Sequence, residues 1–314
     1  MAQATTWKYF DPKVLDEIGR LDLRARLIVE GFLSGMHRSP YRGFSVEFAQ
    51  HREYVPGDDI RFVDWKVYAK SDRVYIKEFE TETNLRLHLF VDRSESMAYG
   101  TVGPNGQPPD SKSTRTKFGY AATCAAALAY LAQQQGDSVG LNLFAETVVK
   151  HLPPSNTRLQ VNNIFQSLDE VTPTSKTSIG PVLHQLAEQA RQRGLVVVFS
   201  DLFDAPDTVV SGLKHLRHKG HDVIVFHVLD HDEVEFPFER MTLFEGMEDL
   251  PKLLVDPKSL REAYLKEINA FQDTIRRGCL QLKIDYVRLT TAESLDVALV
   301  RYLAARAARF KKRK

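Results

Sequence analysis

The chain has 314 residues, of which 42 are Lys or Arg and 41 are Asp or Glu, giving a net charge of +1. So balanced a charge provides no general attraction to polyanions, and we predict no nucleic-acid partner. Cys124 and Cys279 lie far apart and outside any C-x-x-C motif, which predicts reduced, buried thiols. The sequence shows no signal-like or membrane-length apolar run, so we expect a cytoplasmic protein without stable membrane insertion.

Residues 1–84 are predicted to form a smaller N-terminal α+β module. An apolar stripe at helical spacing predicts a helix that begins at Asp11-Pro12 and ends near residue 35. The pattern from 41 to about 70 is irregular, and residues 74–79 are typical of a strand. This strand leads into the second predicted unit, residues 85–314.

The stretch from Leu85 to Met97 combines a strand with an acidic, hydroxyl-rich turn. Its apolar residues first alternate and then fill both faces, which is typical of a buried strand near its end. Such a strand delivers Asp92, Ser94 and Ser96 to the carboxyl edge of a sheet, where open α/β folds bind ligands. One carboxylate and two hydroxyls are hard oxygen donors that suit Mg²⁺, although a hydrogen-bonded turn would use the same residues.

The rest of the chain predicts a doubly wound, mostly parallel α/β sheet with one antiparallel hairpin strand. Residues 99–116 are rich in Gly, Pro, Ser and Thr and predict a mobile loop. A segment at about 231–255 is predicted to be irregular, with apolar residues that suggest a short β segment or a partner surface. Helices are expected at 118–135, 158–168, 179–193, 207–219 and from 257, and strands at 139–144, 147–152, 195–200, 223–229 and 282–289. The basic residues 309–314 are interpreted as a solvated helix end.

Two later stretches strengthen the metal interpretation of the turn. Thr177 precedes a predicted helix, and Asp201 follows the apolar strand at 195–200. The order of these motifs resembles the metal-ion-dependent adhesion site of the von Willebrand factor type A domain. That resemblance implies a divalent cation, Mg²⁺ or another such as Mn²⁺ or Ca²⁺, and these metal-ligating residues: Asp92, Ser94, Ser96, Thr177 and Asp201.

The N-terminal flank is similar to a second, narrower family. Residues 43–48, 52–61, 63–65 and 69–70 resemble the segment that precedes a von Willebrand type A-like domain in the bacterial and archaeal domain-of-unknown-function family 58. The similarity extends over about residues 30–230. It implies an adaptor or chaperone-like protein that works with a MoxR-type AAA+ ATPase and a client protein.

Two other groups of residues have competing interpretations. Asp58, Asp59 and Asp64 could form a second metal site, but beside Gly and Arg residues they are better interpreted as turn caps and ion pairs. His215, His218 and His221 have a spacing that zinc could use. The basic end of a helix, where cations complement the helix dipole, is the favoured interpretation.

The sequence therefore predicts a non-enzymatic module that binds partner carboxylates through the metal. The cation would retain an open position for an Asp or Glu of the partner. A metal-dependent phosphoester hydrolase that uses Asp92 is the alternative, although no nucleophile-elbow motif is present. The role of residues 99–116 is left open between a flap over a docked partner and a silent insertion.

Overall fold

The computed structural model describes residues 46–56, 60, 63–71, 73–81, 85–101, 115–174, 178–244 and 252–293. These residues fall into two compact units, one before Leu85 and one from Leu85 onward. The predicted helix at 11–35, most of the loop at 99–116 and the basic tail at 309–314 lie outside the described residues. The domain limits 1–84 and 85–314 stay a prediction.

The first unit is a two-stranded antiparallel sheet with a short helix. Strand β1 (Val46–Glu53) pairs with β2 (Tyr75–Thr81), and helix α1 (Trp65–Ser71) lies between them in sequence. The prediction of an irregular region from 41 to 70 is wrong for β1 and α1. The pairing register shifts between Phe48 and Gln50, and this irregularity disturbs the alternation by which a strand is recognised in a sequence.

Asp64 organises this unit as a helix cap and as an ion-pair partner. Its Oδ1 accepts the backbone N–H groups of Lys66 (3.0 Å) and Val67 (3.2 Å) at the start of α1. Its Oδ2 lies 3.0 Å from His51 Nε2 and 3.3 Å from Lys77 Nζ. The hydrogen bond with His51 makes the largest contribution to the pKa of Asp64, which is lowered to about 2. The interpretation of this acid as a cap and ion pair is confirmed, whereas Asp58 and Asp59 lie outside the described residues.

The second unit alternates strands and helices along the chain. Its elements are β3 (Arg86–Asp92), α2 (Lys117–Gln134), β4 (Ser138–Phe144), β5 (Val148–Ser155), α3 (Arg158–Glu170), α4 (Ile179–Gln189), β6 (Leu195–Ser200), α5 (Pro206–His218), β7 (Asp222–Leu229), α6 (His231–Glu235), β8 (Thr242–Phe244), β9 (Leu253–Val255), α7 (Pro257–Gln281) and β10 (Asp285–Thr290). Over the described residues the main sheet has six strands in the order β10-β7-β6-β3-β4-β5. All neighbours are parallel except β4 and β5, so the predicted doubly wound sheet with one antiparallel hairpin strand is confirmed.

The core lies on both faces of this sheet. Every residue of β6 is buried, as is every residue of β3 after Arg86. Helices cover both faces of a parallel sheet, and its central strands are therefore apolar on both sides. Helices α4 and α5 approach closely at Gly180, where an added Cβ would lie 2.7 Å from Thr208 Cβ. Cys124 and Cys279 are buried and unbonded, as predicted.

The segment at about 231–255 is less irregular than predicted, and it contains the short β segment that its apolar residues suggest. It contains the short helix α6 and the strands β8 and β9, which pair antiparallel with each other. Strands of three residues are too short to give a period in the sequence, which explains why the segment is predicted to be irregular. None of the helices in the described part of the chain is long and apolar enough to cross a membrane.

Candidate metal centre at the carboxyl edge of the sheet

The turn after β3 holds the first three predicted ligands together. Asp92 is fully buried, and its Oδ1 accepts the backbone N–H of Ser94 at 2.9 Å. This bond folds the chain back so that Ser94 Oγ lies 3.1 Å from Ser96 Oγ at the start of a 3₁₀ turn, Glu95–Ala98. A carboxylate and two hydroxyls thus meet where β3 ends.

Asp92 is also bonded to the neighbouring strand. Strands β3 and β6 are adjacent and parallel, and Ser200 Oγ donates to Asp92 Oδ2 at 2.6 Å. The strand order reverses between these two strands, because the chain continues to β4 and β5 on one side and to β7 and β10 on the other. The residues lie at the topological switch point, where open α/β sheets bind ligands.

Asp201 follows β6 directly and is fully buried. Its Oδ1 accepts the N–H of Phe203 at 3.3 Å, and its backbone oxygen lies 2.7 Å from His227 Nε2. The next residue, Leu202, has a φ of 57°, a left-handed conformation that is uncommon for a branched side chain. Such backbone outliers concentrate at functional sites, where the surrounding structure holds them in place.

A buried lysine, which the sequence analysis does not identify, contacts Asp201. Lys117 Nζ lies 2.8 Å from Asp201 Oδ2 and 2.6 Å from Glu233 Oε1, and its side chain has no solvent exposure. The ammonium also lies 4.8 Å from the centre of the Phe203 ring, a cation–π distance. Burial acts to lower the pKa of Lys117, but the charges of Asp201 and Glu233 outweigh it and raise the pKa overall, so the lysine is charged.

Further acids gather where β7 ends. Asp230 accepts the N–H and hydroxyl of Thr101 at 3.1 and 2.7 Å, and Tyr99 donates to Asp232 at 3.0 Å. Asp230 and Glu233 also form a capping box around α6, in which Glu233 Oε2 accepts the Asp230 N–H. We name the ends of β3, β6 and β7, with these acids and Lys117, the carboxyl edge.

The electrostatics of the carboxyl edge favour a cation beside Asp92. Burial, and then the negative charge of Asp201, raises the pKa of Asp92 to about 7. The described hydrogen bonds to its carboxylate come from the uncharged residues Ser94 and Ser200. A buried carboxylate that faces a second carboxylate and lacks a cationic donor is stabilised by a bound positive charge.

The spacing of the two hydroxyls fits an octahedral ion. Neighbouring ligands of Mg²⁺ with bonds of about 2.1 Å are about 3.0 Å apart. Ser94 Oγ and Ser96 Oγ lie 3.1 Å apart, so the pair could occupy one edge of such an octahedron. Among the described residues, no three His, Cys, Asp or Glu side chains form a metal-binding group. The predicted metal centre is a different kind of site from such a group, because it combines two carboxylates with hydroxyl groups.

Thr177 lies outside the described residues, but the chain on both sides of it is bonded to the carboxyl edge. Thr174 N–H donates to the Arg93 carbonyl at 3.0 Å, directly after Asp92. Ile179 N–H donates to Asp204 Oδ2 at 3.0 Å, three residues after Asp201. The structure therefore brings together Asp92, Ser94 and Ser96 and places Asp201 on the next strand end, while the assignment of all five as metal ligands stays a prediction.

The histidines considered for zinc have separate partners. His215 Nε2 lies 3.0 Å from Glu188 Oε1, and its Nδ1 lies 2.9 Å from His184 Nδ1. His221 is buried, with Nε2 3.0 Å from the Ala190 carbonyl oxygen. His215 thus lies in the last turn of α5, at the basic helix end that the sequence predicts, and contacts α4, whereas His221 is buried directly before β7.

Sequence reasoning misses several residues of the carboxyl edge, among them Ser200, Lys117 and Glu233. Glu233 has a usable signal, because Asp230 followed three residues later by Glu is a capping-box pattern. Lys117 and Ser200 have none, since a single Lys at a helix start and a single Ser at a strand end are common. Lys117 contacts Asp201 and Glu233, which come 84 and 116 positions later in the sequence, and only the topology of the fold brings them together.

The fold and the turn after β3 together define an α/β protein of the von Willebrand factor type A-like class. The chain belongs to the family described as "Protein of unknown function DUF58", whose family model matches residues 50–274. A relative in Mycobacterium tuberculosis (strain ATCC 25618 / H37Rv), "Uncharacterized protein Rv1480", is 24% identical over 301 residues, which cover 94% of this chain and 90% of the relative.

Solved structures that are similar to this chain include the following two. The conserved hypothetical protein BatB from Bacteroides thetaiotaomicron is 18% identical, with a TM-score of 0.44 over 71% of this chain and 99% of that one. The SpRpn10 VWA domain is 12% identical, with a TM-score of 0.37 over 69% of this chain and 94% of that one. At these identities and TM-scores the similarity carries no functional argument.

Proposed function

We propose that this chain is a non-enzymatic protein–protein interaction module that binds a partner carboxylate through a divalent cation. The cation, Mg²⁺ or another such as Mn²⁺ or Ca²⁺, is held by Asp92, Ser94, Ser96, Thr177 and Asp201. The observation that carries the proposal is the hydroxyl pair of Ser94 and Ser96, 3.1 Å apart, beside a buried carboxylate to which no described cationic side chain donates. Neutral hydroxyl ligands leave the cation electrophilic, so an Asp or Glu of a partner is a suitable further ligand.

The partner we propose is a MoxR-type AAA+ ATPase, with a client protein recognised by the same complex. The support for this partner is the resemblance of the sequence to domain-of-unknown-function family 58, which implies an adaptor role beside such an ATPase. The ATPase would supply energy, and this chain would supply recognition at the carboxyl edge. The proposed location of the complex is the cytoplasm.

A metal-dependent phosphoester hydrolase is the alternative class. It would need a base or nucleophile beside the cation. Asp92 accepts hydrogen bonds from Ser94 and Ser200, and Asp201 is paired with Lys117, so neither predicted carboxylate ligand is a free base, which favours a binding role over catalysis. A phosphoester screen in the presence of Mg²⁺ separates the two classes, since turnover that depends on Asp92 would support the hydrolase.

The direct test measures binding of the purified ATPase in Mg²⁺ and in chelator. We expect binding in Mg²⁺, and loss of it both in chelator and in Asp92→Asn. Asparagine keeps the shape of the side chain and an oxygen for the Ser94 N–H, so the substitution removes mainly the charge. Asp137→Asn, another buried acid replaced by its amide, is the matched control and should bind as the wild type does. Binding that is indifferent to chelator and to Asp92→Asn contradicts the proposal.

A further inference from the structure

We propose that Lys117 is a built-in counter-cation of the carboxyl edge: it offsets part of the negative charge around Asp201, opposes the binding of a divalent cation, and leaves a bound cation less completely balanced, which favours a partner carboxylate. This inference rests on the proposed function and names a residue that sets its specificity. Lys117 is not one of the predicted ligands, and it reaches the edge from the first residue of helix α2.

The geometry of Lys117 fixes where its charge acts. Thr116 accepts the Gly119 N–H as the N-cap of α2, and the Lys117 N–H donates to the Tyr99 carbonyl at 2.8 Å. The start of the helix is therefore anchored beside the turn after β3. From there the side chain runs through the protein interior to Asp201 (2.8 Å) and Glu233 (2.6 Å), without solvent exposure.

The charges of the carboxyl edge are divided unequally. Lys117 is shared by Asp201 and Glu233, whereas Asp92 is bonded to neutral donors. Arg93, next to Asp92 in sequence, directs its guanidinium elsewhere, donating to the Thr172 carbonyl at 2.7 Å and to the Thr174 hydroxyl. Of the two predicted carboxylate ligands, Asp201 is thus partly compensated by a cation, whereas the described hydrogen bonds of Asp92 come from uncharged groups.

This division has an electrostatic consequence for cation affinity. A divalent cation near Asp92 and Asp201 is repelled by the ammonium that already binds Asp201. In a buried site such a repulsion is poorly screened, and its removal corresponds to a gain of roughly ten-fold or more in cation affinity. Lys117 therefore keeps the affinity of the edge for the cation low.

The second consequence concerns the partner. Because Lys117 offsets one of the negative charges of Asp92, Asp201 and Glu233, the protein balances a bound divalent cation less completely than it would without the lysine. A carboxylate from a partner then supplies the missing negative charge and strengthens cation binding. Without the lysine, Asp92 and Asp201 would both balance the cation, and the partner carboxylate would add little.

A purely structural ion pair is the competing explanation of Lys117. Buried pairs can exist for packing alone, and breaking one destabilises a fold whether or not a metal binds nearby. The two explanations differ in the sign of the effect on cation affinity. Loss of a structural pair disturbs Asp201 and weakens cation binding, whereas loss of a counter-cation strengthens it.

The experiment titrates Mn²⁺ into the full chain, follows the free ion by electron paramagnetic resonance, and uses acetate as the carboxylate probe. We expect Lys117→Gln to bind Mn²⁺ roughly ten-fold more tightly than the wild type. Acetate should raise the Mn²⁺ affinity of the wild type and have a smaller effect in the variant. Lys150→Gln, which removes a cation from a solvent-exposed pair with Glu170, is the matched control and should leave both quantities unchanged.

A second variant covers the case in which Lys117→Gln does not fold. Glu233 is 15% exposed, and Glu233→Gln leaves Lys117 to Asp201 alone, so Mn²⁺ affinity should fall several-fold. Unchanged affinity in folded Lys117→Gln, or in Glu233→Gln if the first variant does not fold, overturns the inference while the proposed function stands. A wild type that binds no Mn²⁺ overturns both.

Discussion

The two edges of the central sheet bury ionisable groups in different ways. At the edge where the strands begin, Asp137, His88 and His221 are almost without solvent exposure. At the carboxyl edge, Asp92, Asp201 and Lys117 are equally buried. We name the edge where the strands begin, with Asp137, His88 and His221, the amino edge. Burial by itself therefore does not distinguish a candidate metal centre from structural polar groups.

The difference lies in how the charges are compensated. At the amino edge each group is disfavoured in its charged form by burial, which lowers the pKa of His88 to about 4 and raises that of Asp137 to about 7. Asp137 accepts one backbone bond, from Leu85 N–H at 3.1 Å. At the carboxyl edge acids face one another across β3 and β6, and an internal cation compensates one of them. A gathering of like charges at a switch point is what points to a ligand.

The largest expected effect is on the free energy of unfolding, and it compares one buried acid from each edge of the sheet. In the folded protein the pKa of both Asp92 and Asp137 is raised from 3.8 to about 7. As pH rises, the unfolded chain loses these protons first, so each acid lowers the free energy of unfolding progressively between pH 3.8 and 7. Asp137→Asn and Asp92→Asn should each raise that free energy at pH 8 in chelator, by roughly 2–4 kcal/mol. Urea unfolding at pH 5 and pH 8 measures it, and a variant with no gain at pH 8 would show that its acid is not strained by burial.

A somewhat smaller effect concerns the histidines of the amino edge. Burial, and then the charge of His221, lowers the pKa of His88 from 6.5 to about 4. Between these two pH values, the unfolded chain therefore binds a proton at His88 that the folded chain does not bind. Stability is therefore full above pH 6.5 and falls as the pH drops toward 4, by roughly 3 kcal/mol for His88. In His88→Leu, the free energy of unfolding measured in urea should fall less between pH 7 and pH 4.5 than it does in the wild type. An equal fall in the variant and the wild type would assign the acid sensitivity to other groups.

The smallest effect concerns a pair away from both edges. Lys150 and Glu170 lie 3.7 Å apart with both side chains largely exposed. Exposed pairs contribute about 0–1 kcal/mol, so Lys150→Gln should change the midpoint of urea unfolding very little. A large loss would mean that this pair is coupled to the hairpin of β4 and β5 more strongly than its exposure indicates.

The sequence predicts the sheet and the turn after β3 because both depend on local patterns. Strand β3 is recognised by its apolar run, and Asp92, Ser94 and Ser96 follow at fixed spacing. Strand β1 is missed because its pairing register shifts between Phe48 and Gln50, which disturbs the local pattern.

The contacts of the carboxyl edge that join distant residues could not be predicted. The bond from Ser200 to Asp92 spans 108 residues, and that from Lys117 to Glu233 spans 116. Such contacts depend on which strands are neighbours and which helix begins beside them, and hydrophobic periodicity does not carry this information. A capping-box pattern marks Glu233 as a helix residue but does not reveal its bond to a lysine.

The most direct test of the metal centre compares the two edges in one titration. Mn²⁺ is added to the wild type, to Asp92→Asn and to Asp137→Asn, and the free ion is followed by electron paramagnetic resonance. The account predicts one binding site in the wild type and in Asp137→Asn, and loss of that site in Asp92→Asn. Equal Mn²⁺ binding by the wild type and Asp92→Asn would contradict it.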